Sequence, residues 1–250
     1  MKIPRLVLSL WVPLTLLASW QAGSALGWID QVLFPSPARI LQTAWLMVQQ
    51  GYLPLHIRAT LLRCLTGFAA GSLSGIACGV AMGTLPRFRA SVEPIVTSLN
   101  STPKLSLLPL LMLLTGVGEA PRLVLIASVC FVLMSMYTSE AVRALPEGYV
   151  QLARNYGATG TMMLRRVYVP AVLPQVFTGL RITAGRAMAL TISVELVGAE
   201  QGLGSLIWMS WQTFSTERLY TGVFAAALIG YLFHDGLKML ERRAISWKTP

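Results

Sequence analysis

Long runs without a charged residue constrain the fold of this chain more than any other feature. Residues 6–29, 64–86 and 123–139 contain no Asp, Glu, Lys or Arg. About 20 apolar residues in a helix span the hydrocarbon core of a bilayer, and a helix satisfies its backbone hydrogen bonds internally. Only 12% of all residues are charged, about half the fraction of an ordinary soluble domain. We therefore predict an all-α membrane protein.

Three more apolar runs, residues 105–117, 175–198 and 219–233, bring the predicted number of transmembrane helices to about six. Basic residues flank the runs, so we attribute the net charge of +10 to orientation in a bilayer and not to nucleic-acid binding. One set of connecting segments holds Lys2, Arg5, Arg87, Arg89, Arg143, Arg154, Arg165, Arg166, Lys238, Arg242, Arg243 and Lys248. The other set holds Arg39, Arg58, Arg122 and Arg218. The positive-inside rule then predicts a multi-pass membrane protein with both termini cytoplasmic.

The first apolar run and the segment after it each permit two interpretations. Residues 22–25 resemble the cleavage site of a signal peptide, but the later segments need a first crossing to place their charges, so we favour an uncleaved helix. Residues 38–50 fit either a short amphipathic helix at the membrane surface or a plain extracytoplasmic connector.

Five glycines recur at every fourth position within the run at residues 64–86. In a helix this spacing forms a ridge without side chains, on which a second helix can approach closely. We interpret the glycines as helix-packing residues rather than as solute contacts. They are Gly67, Gly71, Gly75, Gly79 and Gly83.

Two further features at membrane depth are candidates for a solute pathway or a gate. Pro103 and Pro109 predict a broken helix, which fits either a transport path or a kinked packing helix. Glu195 lies inside an apolar run, where a carboxylate costs about 2.5 kcal/mol or more and must face protein or water. Arg186 lies nine residues earlier, two and a half helical turns before it. The pair fits either pore-lining charges or an interhelical ion pair or hydrogen bond.

Catalytic and metal-binding patterns are missing from the sequence. Cys64, Cys78 and Cys130 lie in apolar segments, and His56 and His234 share no ligand spacing. We predict no metal and no cofactor. An intramembrane enzyme would need a nucleophile with a base, or spaced metal ligands, and the sequence holds neither pattern. A Gly-x-x-x-x-Gly-Lys-Ser/Thr segment is also missing, so the chain itself is not expected to hydrolyse ATP.

The polar loop at residues 147–170 contrasts with its apolar surroundings. We predict a short helix from Glu147 to Tyr156, a turn at Gly157, and a second helix that Thr159 or Thr161 caps and that continues to about Tyr168. From residue types alone, this compact hairpin fits either a cleft on a soluble partner or a surface of anionic lipid.

The polar loop resembles the "EAA" motif of bacterial ABC-importer permeases, which is Glu-Ala-Ala, three residues, Gly, nine residues and Ile-x-Leu-Pro. This chain has Gln151-Leu152-Ala153, then Gly157, then Val167-Tyr168-Val169-Pro170, with every spacing kept. The chain is most similar to the nitrate/sulfonate/taurine type, from about residue 61 to residue 243. Blocks that begin at Gly116, Gly179 and Glu195 also match. Two residues depart from the motif. Gln151 replaces its glutamate and removes a charge, and Leu152 replaces its first alanine and adds bulk.

This resemblance implies a type I ABC importer (MetI-like) permease fold with a cytoplasmic coupling-helix loop, in a bacterial inner membrane. Residues 1–58 would form the first helix and an extracytoplasmic connector, residues 59–243 the permease core, and residues 244–250 a cytoplasmic tail. Partners would be two cytoplasmic ABC ATPase subunits, an extracytoplasmic solute-binding protein and a second permease copy, as a homodimer. The coupling residues would be Gln151, Ala153, Arg154, Gly157, Ala158, Thr159, Arg165 and Pro170.

The resemblance favours a small anionic or sulfonate-like solute, while sulfonate, taurine, nitrate, pyrimidine-like and vitamin-precursor solutes all stay open. A second hypothesis is a non-transport assembly or sensor subunit that uses the same loop to bind a cytoplasmic partner. Association with a solute-coupled ATPase distinguishes the two.

Overall fold

The computed structural model describes residues 5–245, and within that range every regular element is helical. Lys2 and Lys248, together with the ends of the first and last predicted regions, lie outside the described residues. The helices are α1 Arg5–Ala25, α2 Pro37–Gln49, α3 Tyr52–Thr84, α4 Pro86–Ser101, α5 Leu108–Thr115, α6 Glu119–Arg143, α7 Glu147–Asn155, α8 Gly160–Met163, α9 Val169–Leu196, α10 Leu203–Gln212 and α11 Thr216–Ala244. A 3-10 turn occupies Leu105–Leu107, and a π turn occupies Leu164–Tyr168.

Three helices in the described part of the chain are long and apolar enough to cross a membrane. They are α3, α6 and α11, and the 3-10 turn with α5 forms a shorter apolar segment. The all-α architecture agrees with the sequence pattern, while about six crossings stays a prediction. Two helices are longer than the apolar runs from which they were predicted. α3 includes Arg58 and Arg63, and α11 includes Lys238.

The chain divides into two compact units. The first contains the residues up to Thr60 together with Glu195–Ala227. Its helices α1 and α2 are joined by a hydrogen bond from the Ala38 amide to Gln21, and the rings of Trp20 and Tyr220 lie 5.9 Å apart. α2 begins after Ser36, whose hydroxyl accepts from the Arg39 amide. The predicted segment is therefore helical, while its position at the membrane surface stays a prediction.

The second unit contains Leu61–Val194 and the residues from Leu228 onwards. Its core lies along α6. Met134, Ala141 and Val142 of α6 pack against Val172 and Val176 of α9. Another group of buried side chains joins α6 to α3 and α4 and comprises Met82, Val96 and Val132.

The glycine ridge of α3 faces α6 within the second unit. A Cβ atom at Gly75 would lie 2.6 Å from the Phe131 carbonyl oxygen, and one at Gly79 would lie 2.6 Å from the Ser135 carbonyl oxygen. Gly67, Gly71 and Gly83 meet α6 in the same crowded way. Because these neighbours include backbone atoms, which cannot move aside, the two helices approach at a separation that any side chain on the ridge would prevent.

Helix α10 has no counterpart among the apolar runs of the sequence, because it lies between the runs at residues 175–198 and 219–233. Leu203, Leu206 and Ser210 are buried on one side of this helix. Its glycine and serine residues lower its helix propensity, and hydrogen bonds from its first turn to Thr60 and Glu195 support it instead.

Candidate functional site

The polar loop folds as two helices that meet at a tight turn. α7 is followed by Gly157, by the four-residue α8 and by the π turn that leads into α9. Thr159 occupies the N-cap position of α8 with an extended backbone, but its side chain makes no capping hydrogen bond. Helical structure runs to Tyr168 as predicted, but its second half is a π turn, which is wider than an α-helix.

Local hydrogen bonds fix the turn after α7. The Gly157 amide donates to the Arg154 carbonyl at 2.9 Å, and the Ala158 amide donates to the Ala153 carbonyl at 2.9 Å. These two bonds define a Schellman motif, which requires a left-handed residue just after the helix. Gly157 supplies it with a φ of +80°. Because nothing lies within 4 Å of a Cβ atom built on Gly157, backbone conformation and not crowding demands glycine there.

Most of the residues that the resemblance assigned to coupling are exposed. Gln151, Arg154, Gly157, Thr159 and Arg165 lie on the surface of the loop. Ala153 and Pro170 are half-buried, and Ala158 is buried beneath the turn. The side chains of Gln151, Arg154, Thr159 and Arg165 are available for a partner, while Ala153, Ala158 and Pro170 support the shape of the loop.

An exposed apolar patch on the same loop did not stand out in the sequence. The exposed fractions of Tyr149, Leu152 and Tyr156 are 63%, 56% and 83%. Tyr149 and Leu152 lie on α7 and Tyr156 directly follows its end, at spacings of three and four residues that put all three on one side. This spacing is the sequence pattern from which the patch could have been predicted. Exposed aromatic and apolar groups of this kind mark interaction sites when they cluster.

The π turn accounts for the position of Pro170. A proline ring within a helix clashes with the carbonyl four residues earlier, which here belongs to Arg166. That residue lies in the π turn, where the backbone is wider than in an α-helix. Pro170 therefore belongs to the first turn of α9 and not to a loop before it.

Glu195 is completely buried at the end of α9, in the first unit. Its Oε2 atom accepts hydrogen bonds at 2.9 Å from the Thr60 hydroxyl and at 2.9 Å from the Gly204 amide. Gly204 lies in the first turn of α10, where the positive end of the helix dipole favours an anion. The geometry favours interhelical hydrogen bonds, one of the two interpretations of this residue.

The surroundings of Glu195 complete a cluster that we name the Glu195 cluster, formed by His56, Thr60, Glu195 and residues 202–204. The Thr60 hydroxyl also accepts from the Leu203 amide at 2.7 Å, and His56 Nδ1 lies 2.7 Å from the Gly202 carbonyl oxygen. A Cβ atom on Gly202 would overlap the Glu195 carboxylate, and Gly202 has a φ of +135°. The cluster thus ties α3, α9 and α10 together within the first unit.

The remaining candidates for a pathway lie elsewhere. Arg186 is exposed on α9, nine residues before Glu195 and about 13 Å away along the helix axis, too far for a direct ion pair. Pro103 is exposed in the break between α4 and α5, and Pro109 is exposed in the first turn of α5. Lys104 lies between them and donates to the Leu99, Asn100 and Thr102 carbonyls.

The comparison with protein families matches residues 71–245 to the family described as binding-protein-dependent transport system inner membrane component. The taurine transport system permease protein TauC of Escherichia coli (strain K12) is 29% identical, over 97% of this chain and 90% of that protein. A putative aliphatic sulfonates transport permease protein, SsuC of Bacillus subtilis (strain 168), is 27% identical over 95% and 86%. The riboflavin transport system permease protein RibX of Chloroflexus aurantiacus is 29% identical over 96% and 91%.

Among solved structures, a chain of the MetNI methionine ABC transporter in an inward-facing conformation matches with a TM-score of 0.67. The match covers 81% of this chain and 97% of that chain at 20% identity, and it shows a shared fold. The predicted MetI-like permease fold is thereby confirmed.

Proposed function

Since the chain belongs to the family of binding-protein-dependent transport system inner membrane components, we propose that its polar loop couples cytoplasmic ATPase subunits to a transmembrane solute pathway. The chain is a permease subunit of an ABC importer. The observation that carries the proposal is a loop that its own backbone hydrogen bonds hold in shape and that presents polar and aromatic side chains outward.

The polar loop suits docking because it is rigid before it meets a partner. The Schellman turn and the contacts of α7 with α8 and the π turn define its shape without help from another chain. A preformed surface loses little conformational entropy on binding. Tyr149, Leu152 and Tyr156 would enter a cleft on the ATPase, and Arg154 and Arg165 would lie at the rim.

ATP binding and hydrolysis would take place on separate subunits. Closure of two ATPase subunits around nucleotide would draw two polar loops together, one from each permease copy of a homodimer. The permease would then change between inward-open and outward-open states because nucleotide stabilises one state over the other. An extracytoplasmic binding protein would deliver the solute to the outward-open state.

A small sulfonate or a similar anion is the proposed solute. Support comes from the taurine and aliphatic sulfonate permeases among the relatives. The riboflavin permease and the methionine transporter have comparable similarity in sequence or fold, so the fold accommodates several solutes. The support for an anionic solute is therefore the sequence similarity to these permeases.

The proposed orientation places both termini and the polar loop in the cytoplasm. The predicted regions, residues 1–58, 59–243 and 244–250, keep their proposed roles as first helix with connector, permease core and tail. α3, α6, α9 and α11 would run between the two faces of the membrane. The Glu195 cluster would then lie towards the extracytoplasmic face.

Pro103, Pro109, Arg186 and Glu195 are proposed to act on the pathway in different ways. The exposed break between α4 and α5 would line the path, and exposed Arg186 would contribute charge to it. Glu195 would act indirectly, since its buried carboxylate holds α10 against α3. The glycines of α3 would provide close packing only.

A pair of glycine variants tests the coupling proposal. In Gly157→Asp a left-handed backbone must accommodate a side chain, whereas Gly148→Asp makes the same change at a helical position of α7. Neither position has an atom within 4 Å of a built Cβ atom. We expect co-purification of an ATPase from native membranes to be lost with Gly157→Asp and kept with Gly148→Asp, with both inserted normally. Equal recovery with both variants would reject the proposal and favour a hairpin on anionic lipid.

A further inference from the structure

Two buried arginines and one exposed glutamate meet within the second unit. Arg63 of α3 donates from Nε and from Nη2 to the two carboxylate oxygens of Glu119, at 2.7 Å each. Arg122 Nη1 lies 3.5 Å from Glu119 Oε1 and donates to the Gly118 carbonyl at 2.7 Å. We name Arg63, Glu119 and Arg122 the arginine cluster.

The three side chains of the arginine cluster differ in how far they are buried. The side chains of Arg63 and Arg122 are each 4% exposed, whereas the Glu119 side chain is 58% exposed. Two guanidinium groups and one carboxylate give the three side chains a charge of +1. The cations are fixed in the protein interior, and the anion lies at the surface above them.

The exposed carboxylate can be exchanged for another anion, because the incoming oxygen atoms keep the two buried guanidinium groups paired. Glu119 is the first residue of α6, where the positive end of the helix dipole favours an anion even when its side chain turns towards water. Arg122 bonds to the Gly118 carbonyl and holds the backbone in place meanwhile.

A guanidinium fork recognises paired oxygen atoms and not the carbon that carries them. A fork that binds the two oxygens of a carboxylate presents the same donors to a sulfonate or a phosphate. An anion with two or more oxygens can therefore occupy the position that the Glu119 carboxylate takes here.

We propose that Arg63 and Arg122 form a binding site for the oxyanion group of the solute, and that Glu119 occupies this site when no solute is bound. The inference rests on the proposed function, because the proposed orientation places the start of α6 towards the extracytoplasmic face. Competition by Glu119 keeps the affinity modest. Modest affinity suits a transporter, in which a site must release the solute that it accepts.

Direct binding of a model anion tests the site. The full chain, with the partners that co-purify with it, is placed in phosphatidylcholine nanodiscs and titrated calorimetrically with ethanesulfonate at constant ionic strength. Ethyl methyl sulfone, which is uncharged, serves as the control ligand. Glu119→Gln removes the competing charge, and we expect it to tighten ethanesulfonate binding about tenfold.

The arginines should act in the opposite direction. Arg63→Gln should weaken ethanesulfonate binding about tenfold, and Arg63→Gln with Glu119→Gln should not regain the affinity of Glu119→Gln alone. The double variant keeps the charge of the cluster at +1, so it separates loss of the fork from loss of charge. Arg89→Gln is the matched control, because Arg89 makes the same two-bond fork with Glu93 at 2.9 Å and 3.0 Å on an exposed surface.

Several results would overturn the inference. Unchanged or undetectable ethanesulfonate binding in Glu119→Gln would make the arginine cluster a structural anchor only. If anionic lipid in the nanodiscs abolished ethanesulfonate binding, a lipid headgroup would be the occupant. These outcomes leave the proposed function untouched, since that depends on recovery of an ATPase with the unmodified chain and on its loss with Gly157→Asp.

Discussion

The polar loop and the Glu195 cluster are both held by hydrogen bonds, yet the bonds differ in how far they reach along the chain. In the polar loop, the Gly157 and Ala158 amides bond to carbonyls three and five residues earlier. In the Glu195 cluster, His56 and Gly202 are 146 residues apart, and Thr60 and Glu195 are 135 apart. The first region is shaped by its own sequence and exposes its side chains. The second exists only after folding and buries them.

The difference separates two roles. In a surface loop that is shaped by its own residues, a substitution can change the contacts with a partner without unfolding the protein. A buried cluster that joins distant segments contributes mainly to the stability of the fold. Substitutions in the two regions should therefore differ in which measurement they change.

The largest effect is expected for Glu195→Ala. Loss of the carboxylate leaves the Thr60 hydroxyl and the Gly204 amide without this acceptor, and each buried unsatisfied group costs about 1–3 kcal/mol. We expect the free energy of unfolding to fall by about 3 kcal/mol, measured by denaturation in detergent. Glu200→Ala, at a nearby exposed position, is the control. Equal stability of the two variants would contradict the structural role of the cluster.

A smaller loss of stability is expected for Gly75→Ala, because the new Cβ atom would lie 2.6 Å from the Phe131 carbonyl oxygen. Overpacking of this kind costs about 1–3 kcal/mol. Gly185→Ala, in a helix with nothing within 4 Å of the new atom, should be neutral or slightly stabilising. Thermal unfolding of both variants checks the prediction, which fails if Gly185→Ala is the more damaging change.

Tyr156→Ala should change association and not stability. The side chain is 83% exposed, so the free energy of unfolding should stay within about 0.5 kcal/mol of the unmodified chain. A buried aromatic anchor at an interface contributes a factor of about ten or more to affinity. We expect ATPase binding to weaken about tenfold, measured with purified subunits. Tyr231→Ala, at another exposed tyrosine, should leave binding unchanged, and equal binding by both variants would remove Tyr156 from the interface.

The smallest effect is expected for Thr159→Ala. A threonine at an N-cap position ordinarily contributes about 1 kcal/mol, but the Thr159 side chain makes no capping bond. We expect a change of unfolding free energy below about 0.5 kcal/mol. Ser36→Ala, which removes a side chain that accepts from the Arg39 amide, should cost about 1 kcal/mol. The reverse order would show that the cap of α8 forms in solution.

The sequence alone determined the helical class, the membrane setting and the turn of the polar loop. Uncharged runs of about 20 residues leave a chain few alternatives to a spanning helix, and a glycine between two short helical patterns indicates a left-handed C-terminal turn. The family resemblance over residues 61–243 agrees with the family match over 71–245. These patterns involve residues that are close in sequence or that repeat along one helix, so the sequence alone is enough to predict them.

Only the tertiary structure decided α10, the partners of Glu195 and the arginine cluster. α10 contains glycine and serine, which lower helix propensity, and its first turn is fixed by Thr60 and Glu195 from two other helices. Arg63 gave no signal because its partner Glu119 is 56 residues away. A buried polar group needs a hydrogen-bonding partner wherever the fold places one, and no local pattern encodes which distant residue that partner is.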